Sequence, residues 1–299
     1  MAIYNYAEIF ARELAQKYAR ELTSFALTQS NQAVKFMNAQ TLKLPRLSVS
    51  GYKDHNRAVL GFNAGTLSND WEPKKLEHDR DIELFIDPMD VDETNLTLEM
   101  ANIQNTFEEE QAIPEKDSYR YSKLYAEANT YKTAGAVIDT TALDATTILK
   151  WFDEQMEKMN DQGVPAEGRM LYLTPAKYTL IKNAQQIQRT IDVRGAGAID
   201  RRVTGLDNVS FVEVPSARFK TLYDFTDGCV PDAAAKQIHM ILVHPSCVIS
   251  RDKYAYINVF TPGHDSRTAD KYLYQNRYYT DTFLIERKAP GIAINVEGA

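Results

Sequence analysis

Four carboxylates crowd the segment FIDPMDVDETN, residues 85–95: Asp87, Asp90, Asp92 and Glu93. Acids at this density suggest a divalent-ion site, a general acid and base pair, or the opening turn of a helix. A calcium loop takes ligands at alternate positions, a central Gly for its sharp turn and a distant bidentate Glu. Asp90 and Asp92 alternate, but no Gly follows and no Glu stands at the required distance. Adjacent carboxyl groups titrate unusually only when buried or sharing a proton. The simpler reading is a helix entry. Asp92 or a neighbour caps a helix starting near Glu93, and the acids face the positive end of its dipole. A metal-dependent hydrolase using Asp87–Glu93 is the alternative.

The five histidines are His55, His78, His239, His244 and His264, and none forms a His-x-x-x-His or His-Glu-x-x-His set. His244 and Cys247 stand three positions apart; on a strand their side chains point to opposite faces, which disfavours a nucleophile pair. There is no Gly-x-Ser-x-Gly elbow and no Walker sequence. RGAGAIDRR, residues 194–202, has the glycines of a phosphate loop but does not sit between a strand and a helix. It reads as a mobile loop, with phosphate or partner contact for Arg194, Arg201 and Arg202 the alternative. Cys229 and Cys247 form no Cys-x-x-Cys and read as reduced thiols, with a single disulfide the alternative. No catalytic, metal or cofactor constellation emerges.

The elements that would position such residues are more legible. The chain has 299 residues, 44% hydrophobic and 25% charged, enough for one large domain or two smaller ones. Its net charge of -7 argues against a general nucleic-acid binder, which needs excess cation to displace counterions from phosphate. No apolar run is long enough to span a membrane, and charges interrupt the first twenty residues, so no signal peptide is expected.

Phe10, Leu14, Tyr18, Leu22 and Phe25 form one helical stripe. From Asn31 to Asp87 the helical period is absent. Short alternating runs such as Leu42, Leu44 and Leu47, Val49 are cut by Pro45, Gly51, Gly61, Gly65 and Pro73. This reads as a long hairpin or extended loop, poor in core residues, with a task outside its own domain. Leu96, Met100, Ile103 and Phe107 predict a helix ending near Pro114, and a second helix follows over DSYRYSKLYAEANTY. Ile148, Trp151, Phe152, Met156 and Met159 predict a third. RMLYLTPAKY reads as strand, then Thr174 as helix N-cap and Pro175 at the first helical position. VSFVEVP, HMILVHP, 255–260, 271–286 and GIAINV read as strands. Without a steady βαβ rhythm, the fold class expected is α+β.

Charge is segregated along the chain. Lys35, Lys43, Arg46, Lys53 and Arg57 stand against Asp54 alone, whereas acids dominate from Glu72 to Glu93 and continue through Glu108, Glu109, Glu110, Glu115 and Asp117. One reading is a solvated surface. The sharper one is complementarity, a basic arm of one copy lying over an acidic helix of another.

The segment LPRLSVSGYKDHNRAVLGFNAGTLSNDWEPKKLEHDRDIELFIDPMDVDETN resembles the extended loop of tailed-bacteriophage major capsid proteins of the Hong Kong 97 type. Arg57, Trp71, the Asp79-Arg80 pair and Asp87-x-x-Asp90-x-Asp92-Glu93 carry the resemblance. IPEKDSYRYSKL, GRMLYLTPAKY, VEVPSARFKT and the stretch from HMILVHPSCVI to APGIAINV are similar too, so it covers nearly the whole chain. It implies an N-terminal arm (1–44), an extended loop (45–84), a peripheral domain with a long spine helix (85–139 and 236–299) and an axial domain (140–235). It also implies hexamers and pentamers in an icosahedral shell around double-stranded DNA, bound without sequence specificity. The type member carries a long N-terminal assembly segment that is later removed. Here the capsid-like pattern starts almost at Met1, so a separate scaffolding protein is expected, with a portal and decoration proteins as further partners. No cofactor, no catalysed reaction and no membrane are expected. The location expected is the virion, after synthesis in the host bacterial cytoplasm. The candidate inter-subunit contacts are Lys43, Arg46, Lys53, Arg57, Trp71, Arg80, Glu108, Glu109, Glu110, Arg194, Arg201 and Arg202. A tail-tube or other virion component is a further alternative.

Overall fold

A computed structural model describes residues 22–29, 41–55, 61–89, 100–184, 203–263 and 270–298, the side chains of 45 and 100–103 apart. Its centre is a six-stranded sheet. The strands, in spatial order, are β4 (Val137–Asp139), β13 (Ile292–Val296), β10 (Ile238–Val243), β5 (Met170–Leu173), β7 (Val209–Glu213) and β6 (Gly205–Leu206). Pairing is mixed: β4–β13 and β5–β7 are parallel, the others antiparallel.

The three middle strands are apolar on both sides because both faces are covered. Tyr172, Ile241, Val243, Ile292, Ile294 and Val296 point to one face and meet Tyr121, Leu124 and Ala128. These three lie on α3 (Ile113–Thr130). Leu171, Leu173, Met240, Leu242 and Ala293 point to the other. There they meet Ile148, Trp151, Phe152 and Met159 of α4 (Ile148–Asp161) and Ile181 of α5 (Pro175–Asn183). The period-2 alternation of a strand thus divides one run of residues between two cores. Thr174 is extended at φ -72°, ψ 154° and Pro175 opens α5, as the sequence predicts.

A long antiparallel pair, β11 (Val248–Phe260) with β12 (Tyr272–Leu284), extends away from this body, and β3 (His78–Ile86) adds to the edge of β12. The span expected to protrude as the extended loop therefore includes one strand, β3, that belongs to the molecule's own sheet. The remaining hairpin is β1 (Thr41–Val49) with β2 (Leu67–Lys75), which among the described residues pair only with each other. A short pair, β8 (Tyr223–Asp224) with β9 (Val230–Pro231), and one helical turn, α1 (Phe25–Thr28), complete the elements used below.

The helix expected to stop near Pro114 does not stop. α2 (Met100–Phe107) passes through a π-helical turn (Glu108–Ala112) straight into α3, giving one rod from 100 to 130. Proline lacks an N–H, and its ring crowds the carbonyl four residues back, here Glu110. Widening that turn to i→i+5 spacing relieves the clash without ending the helix. The expected helix start at Asp92–Glu93 and the 194–202 loop lie outside the described residues.

Candidate assembly surface

Opposite residues of an antiparallel pair share a face. In β1–β2 the pairs Pro45↔Trp71, Leu47↔Asn69 and Val49↔Leu67 place Leu47, Val49, Leu67 and Trp71 on one side of the hairpin. All four are exposed, Leu47 by 56%, Val49 by 67% and Leu67 by 71%. Tyr52 and Phe62, nearer the tip, are fully exposed. Nearer the body, Leu42 and Leu44 point the other way and are buried with Leu76, Ile249 and Phe283. The alternation shifts from even to odd positions between Leu44 and Leu47. Its apolar side chains thereby move from the body face to the free face. This phase change is visible in the sequence, and it is the signal that identifies the stripe. A monomer seldom exposes a continuous apolar ribbon of this kind; such ribbons mark partner surfaces.

The hairpin is not a loose strand. At its tip Lys53 Nζ donates to Ala64 O at 2.9 Å and Asn63 Nδ2 to Asp54 O at 2.7 Å. At its base Lys74 is enclosed. Its Nζ donates to Tyr131 Oη and contacts Glu72 Oε1 at 3.1 Å and Glu127 Oε2 at 3.3 Å. Burial pulls this lysine's pKa down, but Tyr131, Glu127 and Glu72 together outweigh burial and hold it above the usual range. Lys74→Met keeps the stem and removes the charge, leaving Glu127 without its cation. Thermal unfolding should show a loss of about 1–3 kcal/mol, the usual cost of stranding a hydrogen-bonded group in a partly buried site. Arg46 Nη1 meets Glu286 at 3.1 Å, and Arg287 donates to Leu47 O, so the hairpin is tied to the body at mid-length as well.

A second anchor joins β3 to the long helix. Arg80 Nε donates to Glu115 Oε1 at 2.7 Å, and its other nitrogens donate to the carbonyls of Phe225 and Gly228. Tyr278 Oη donates to the same Glu115 oxygen at 3.0 Å. His78 stacks on Tyr119 at 3.7 Å between ring centroids, with Phe225 edge-on. Burial, helped by the charges of Arg80, Lys123 and Arg120, pushes the His78 pKa down to about 3, so the imidazole is neutral at physiological pH.

The third anchor holds the N-terminal segment. Asp117 is 0% exposed. It accepts from Thr23 N (3.2 Å) and Oγ1 (2.8 Å), and from Ser24 N (3.1 Å) and Oγ (2.7 Å). Arg218 Nη1 approaches at 3.5 Å, and Arg120, itself buried, donates to Ser24 Oγ at 3.0 Å. Nothing in the sequence separates Asp117 from the acidic run around it.

The candidate contacts are distributed unevenly. Lys43 and Trp71 are exposed on the hairpin, and Glu109 and Glu110 on the π turn. Arg46, Lys53 and Arg80 have partners within the chain. Glu108 departs from the acidic surface expected of it: it is buried against β12. Arg57, Arg194, Arg201 and Arg202 lie outside the described residues. Much of the acidic run is also paired internally, Glu77 with Lys123 at 3.3 Å and Asp79 with Arg277 at 2.7 Å. Asp87 Oδ1 accepts from Met89 N at 3.0 Å, while Asp90, Asp92 and Glu93 are not among the described residues. Among those described, no three of His, Cys, Asp and Glu gather as metal ligands, and no helix is long and apolar enough to cross a membrane.

No protein-family model and no curated protein sequence matches the chain. Solved structures do. The mature capsid of bacteriophage PhiM1 is similar over 86% of this chain and 82% of its own, at 12% identity and a TM-score of 0.62. The chain has a phage capsid fold. The capsid of cyanophage P-SCSP1u matches over 89% of this chain and 85% of its own, at 9% identity and a TM-score of 0.59. A structure from Microbacterium phage Oxtober96 matches over 93% and 91%, at 11% identity and a TM-score of 0.59. The α+β class and the phage capsid fold expected from the sequence are therefore present. Within this capsid fold Lys74 ties the hairpin to the long helix through Glu127.

Proposed function

We propose that this chain is a tailed-phage major capsid protein that self-assembles into hexamers and pentamers of an icosahedral shell enclosing double-stranded DNA. The observation carrying this reading is the apolar stripe on a protruding, internally braced hairpin, in a fold whose solved counterparts include phage capsids. Burying such a stripe stabilises contact by roughly 25 cal/mol per Å². Each contact can be weak, since a closed shell repeats it many times. The net charge of -7 suits a container that must take up and release DNA rather than grip it.

On this reading 1–44 is the N-terminal arm and 45–84 the extended loop. Residues 85–139 with 236–299 form the peripheral domain, and 140–235 the axial domain. Lys43, Lys53, Trp71, Glu109 and Glu110 then face neighbouring subunits. Scaffolding, portal and decoration proteins are the further partners, the virion is the location, and no reaction is catalysed.

Electron microscopy of the purified protein, alone and co-expressed with its neighbouring genes, tests the reading. Closed shells are the expected result. Tubes or rings would favour a tail-tube component instead. A protein that stays monomeric under every condition, yet loses an enzymatic activity on Asp90→Asn, would overturn the assignment in favour of a hydrolase.

A further inference from the structure

Glu108 opens the π turn and is only 6% exposed. Asn276 Nδ2 donates to its Oε1 at 2.7 Å and also to Tyr274 Oη at 2.9 Å. Among the described residues no Lys, Arg or His pairs with it. One helical turn earlier stands Gln104, 1% exposed, whose Oε1 accepts no hydrogen bond. Residues four apart on a helix are neighbours on one face, and a buried acceptor without a donor is costly. A glutamate can supply the missing donor only as the neutral acid, with one O–H and acceptor capacity remaining.

We propose that Glu108 is held as the neutral acid, giving its O–H to Gln104 Oε1, and that removing this proton loosens the π turn and so acts as a switch in the long helix. The inference stands on the turn's own geometry and is independent of the capsid reading. Burial, opposed by the Asn276 hydrogen bond, pushes the Glu108 pKa up to about 7. Once ionised, the carboxylate opposes the Gln104 carbonyl with no donor between them and must turn towards water.

A 520 Å³ recess lies beside it, lined by Phe107, Gln111 and Ala112 of the turn and by Asn276. The charged and titratable groups around that recess are Asp79, Arg80 and Asp81 from β3, Glu115 from α3, Asp227 from the β8–β9 loop and Tyr278 from β12. Tyr274, also from β12, is the titratable group closest in the Glu108 network. Arg80 is bound to Glu115 and Asp79 to Arg277, which leaves Asp81 and Asp227 to repel an arriving carboxylate. The turn is also the part of the rod best able to change, since a π turn differs from an α turn by a one-residue shift in hydrogen-bond partner.

Glu108→Gln keeps a donor for Gln104 and cannot ionise. In wild type the folded state keeps the proton over a window in which the unfolded chain has lost it. The Glu108 contribution to stability is therefore complete below pH 4.5 and declines as pH rises to about 7. Relative to the variant, the wild-type folded-to-unfolded ratio should fall by roughly 10²-fold across that window. His78 titrates with the opposite sign over an overlapping range, and taking the difference from the variant cancels it. Difference infrared spectra should show a protonated-carboxyl band in wild type that fades near neutral pH and is missing from Glu108→Gln. Hydrogen exchange of amides 109–112, compared with the variant at each pH, should quicken only in wild type and only as the band fades. Gln104→Leu removes the acceptor and should move the fading of the band to lower pH. Superimposable stability curves for wild type and Glu108→Gln, no such band, or a midpoint unmoved by Gln104→Leu would each overturn the proposal.

Discussion

Asp117→Ala is expected to lower the unfolding free energy by about 3–5 kcal/mol, the range found when one partner of a buried ionic network is removed. Denaturant titration of the unassembled protein measures it. The size follows from what the carboxylate does. With 0% exposure it accepts four hydrogen bonds from Thr23 and Ser24. Its removal strands those donors together. It also takes the nearby anion from Arg218 and loosens Ser24, to which the buried Arg120 donates. A loss under about 1 kcal/mol, the level of an exposed ion pair, would show that the N-terminal segment is not held this way. Thr23→Ala should cost less than Asp117→Ala, because it removes only the Oγ1 donor and leaves the carboxylate bonded to the residue 23 amide and to Ser24.

The second expected result separates assembly from folding. Leu47→Asp combined with Leu67→Asp places two charges on the free face of the hairpin. Both positions are largely exposed, so the isolated chain should change in stability by no more than about 0.5 kcal/mol. Shell formation should be abolished, because burying two unpaired carboxylates at every repeated contact opposes closure. Sedimentation and thermal unfolding on the same sample give both readings. Shells that form at the wild-type protein concentration would show that the stripe does not carry the contact. The control is Leu42→Ala, on the opposite face and buried against Ile249 and Phe283. It should destabilise the monomer by about 2–5 kcal/mol through the cavity it leaves.

The contrast between these two sites explains what was legible in the sequence. Periodicity reports which side of an element is apolar, and it located α4, β5, β10 and β13 because their apolar side chains face cores within the same chain. It also marked 31–87 as a ribbon with little core of its own. It does not report pairing between distant segments. The placement of β3 beside β12 depends on residues roughly 200 positions apart, such as His78 opposite Thr280. Nor does it distinguish acids by burial. Asp117, Glu108 and Glu110 look alike in one acidic stretch, yet the first holds the N-terminal segment, the second is sealed against Asn276 and the third is exposed. Pro114 misled in another way. A proline marks a helix end only where the preceding turn cannot widen, and here it widens.

The position of β13 sets a schedule for the whole molecule. This strand, Ile292–Val296, is translated after all the other described strands, yet it lies between β4 and β10 in the interior of the central sheet. Translation adds about 5–20 residues per second, and until it has passed Val296 the two flanking strands have a gap where their shared neighbour belongs. The hairpin at 41–75, by contrast, pairs locally and can form early. A sticky ribbon is thus ready before the body that should carry it. Ribosome pausing between β12 and β13 ought to lengthen that interval and increase insoluble product. Moving the coding order by circular permutation, so that the β13 segment is translated first, ought to shorten it.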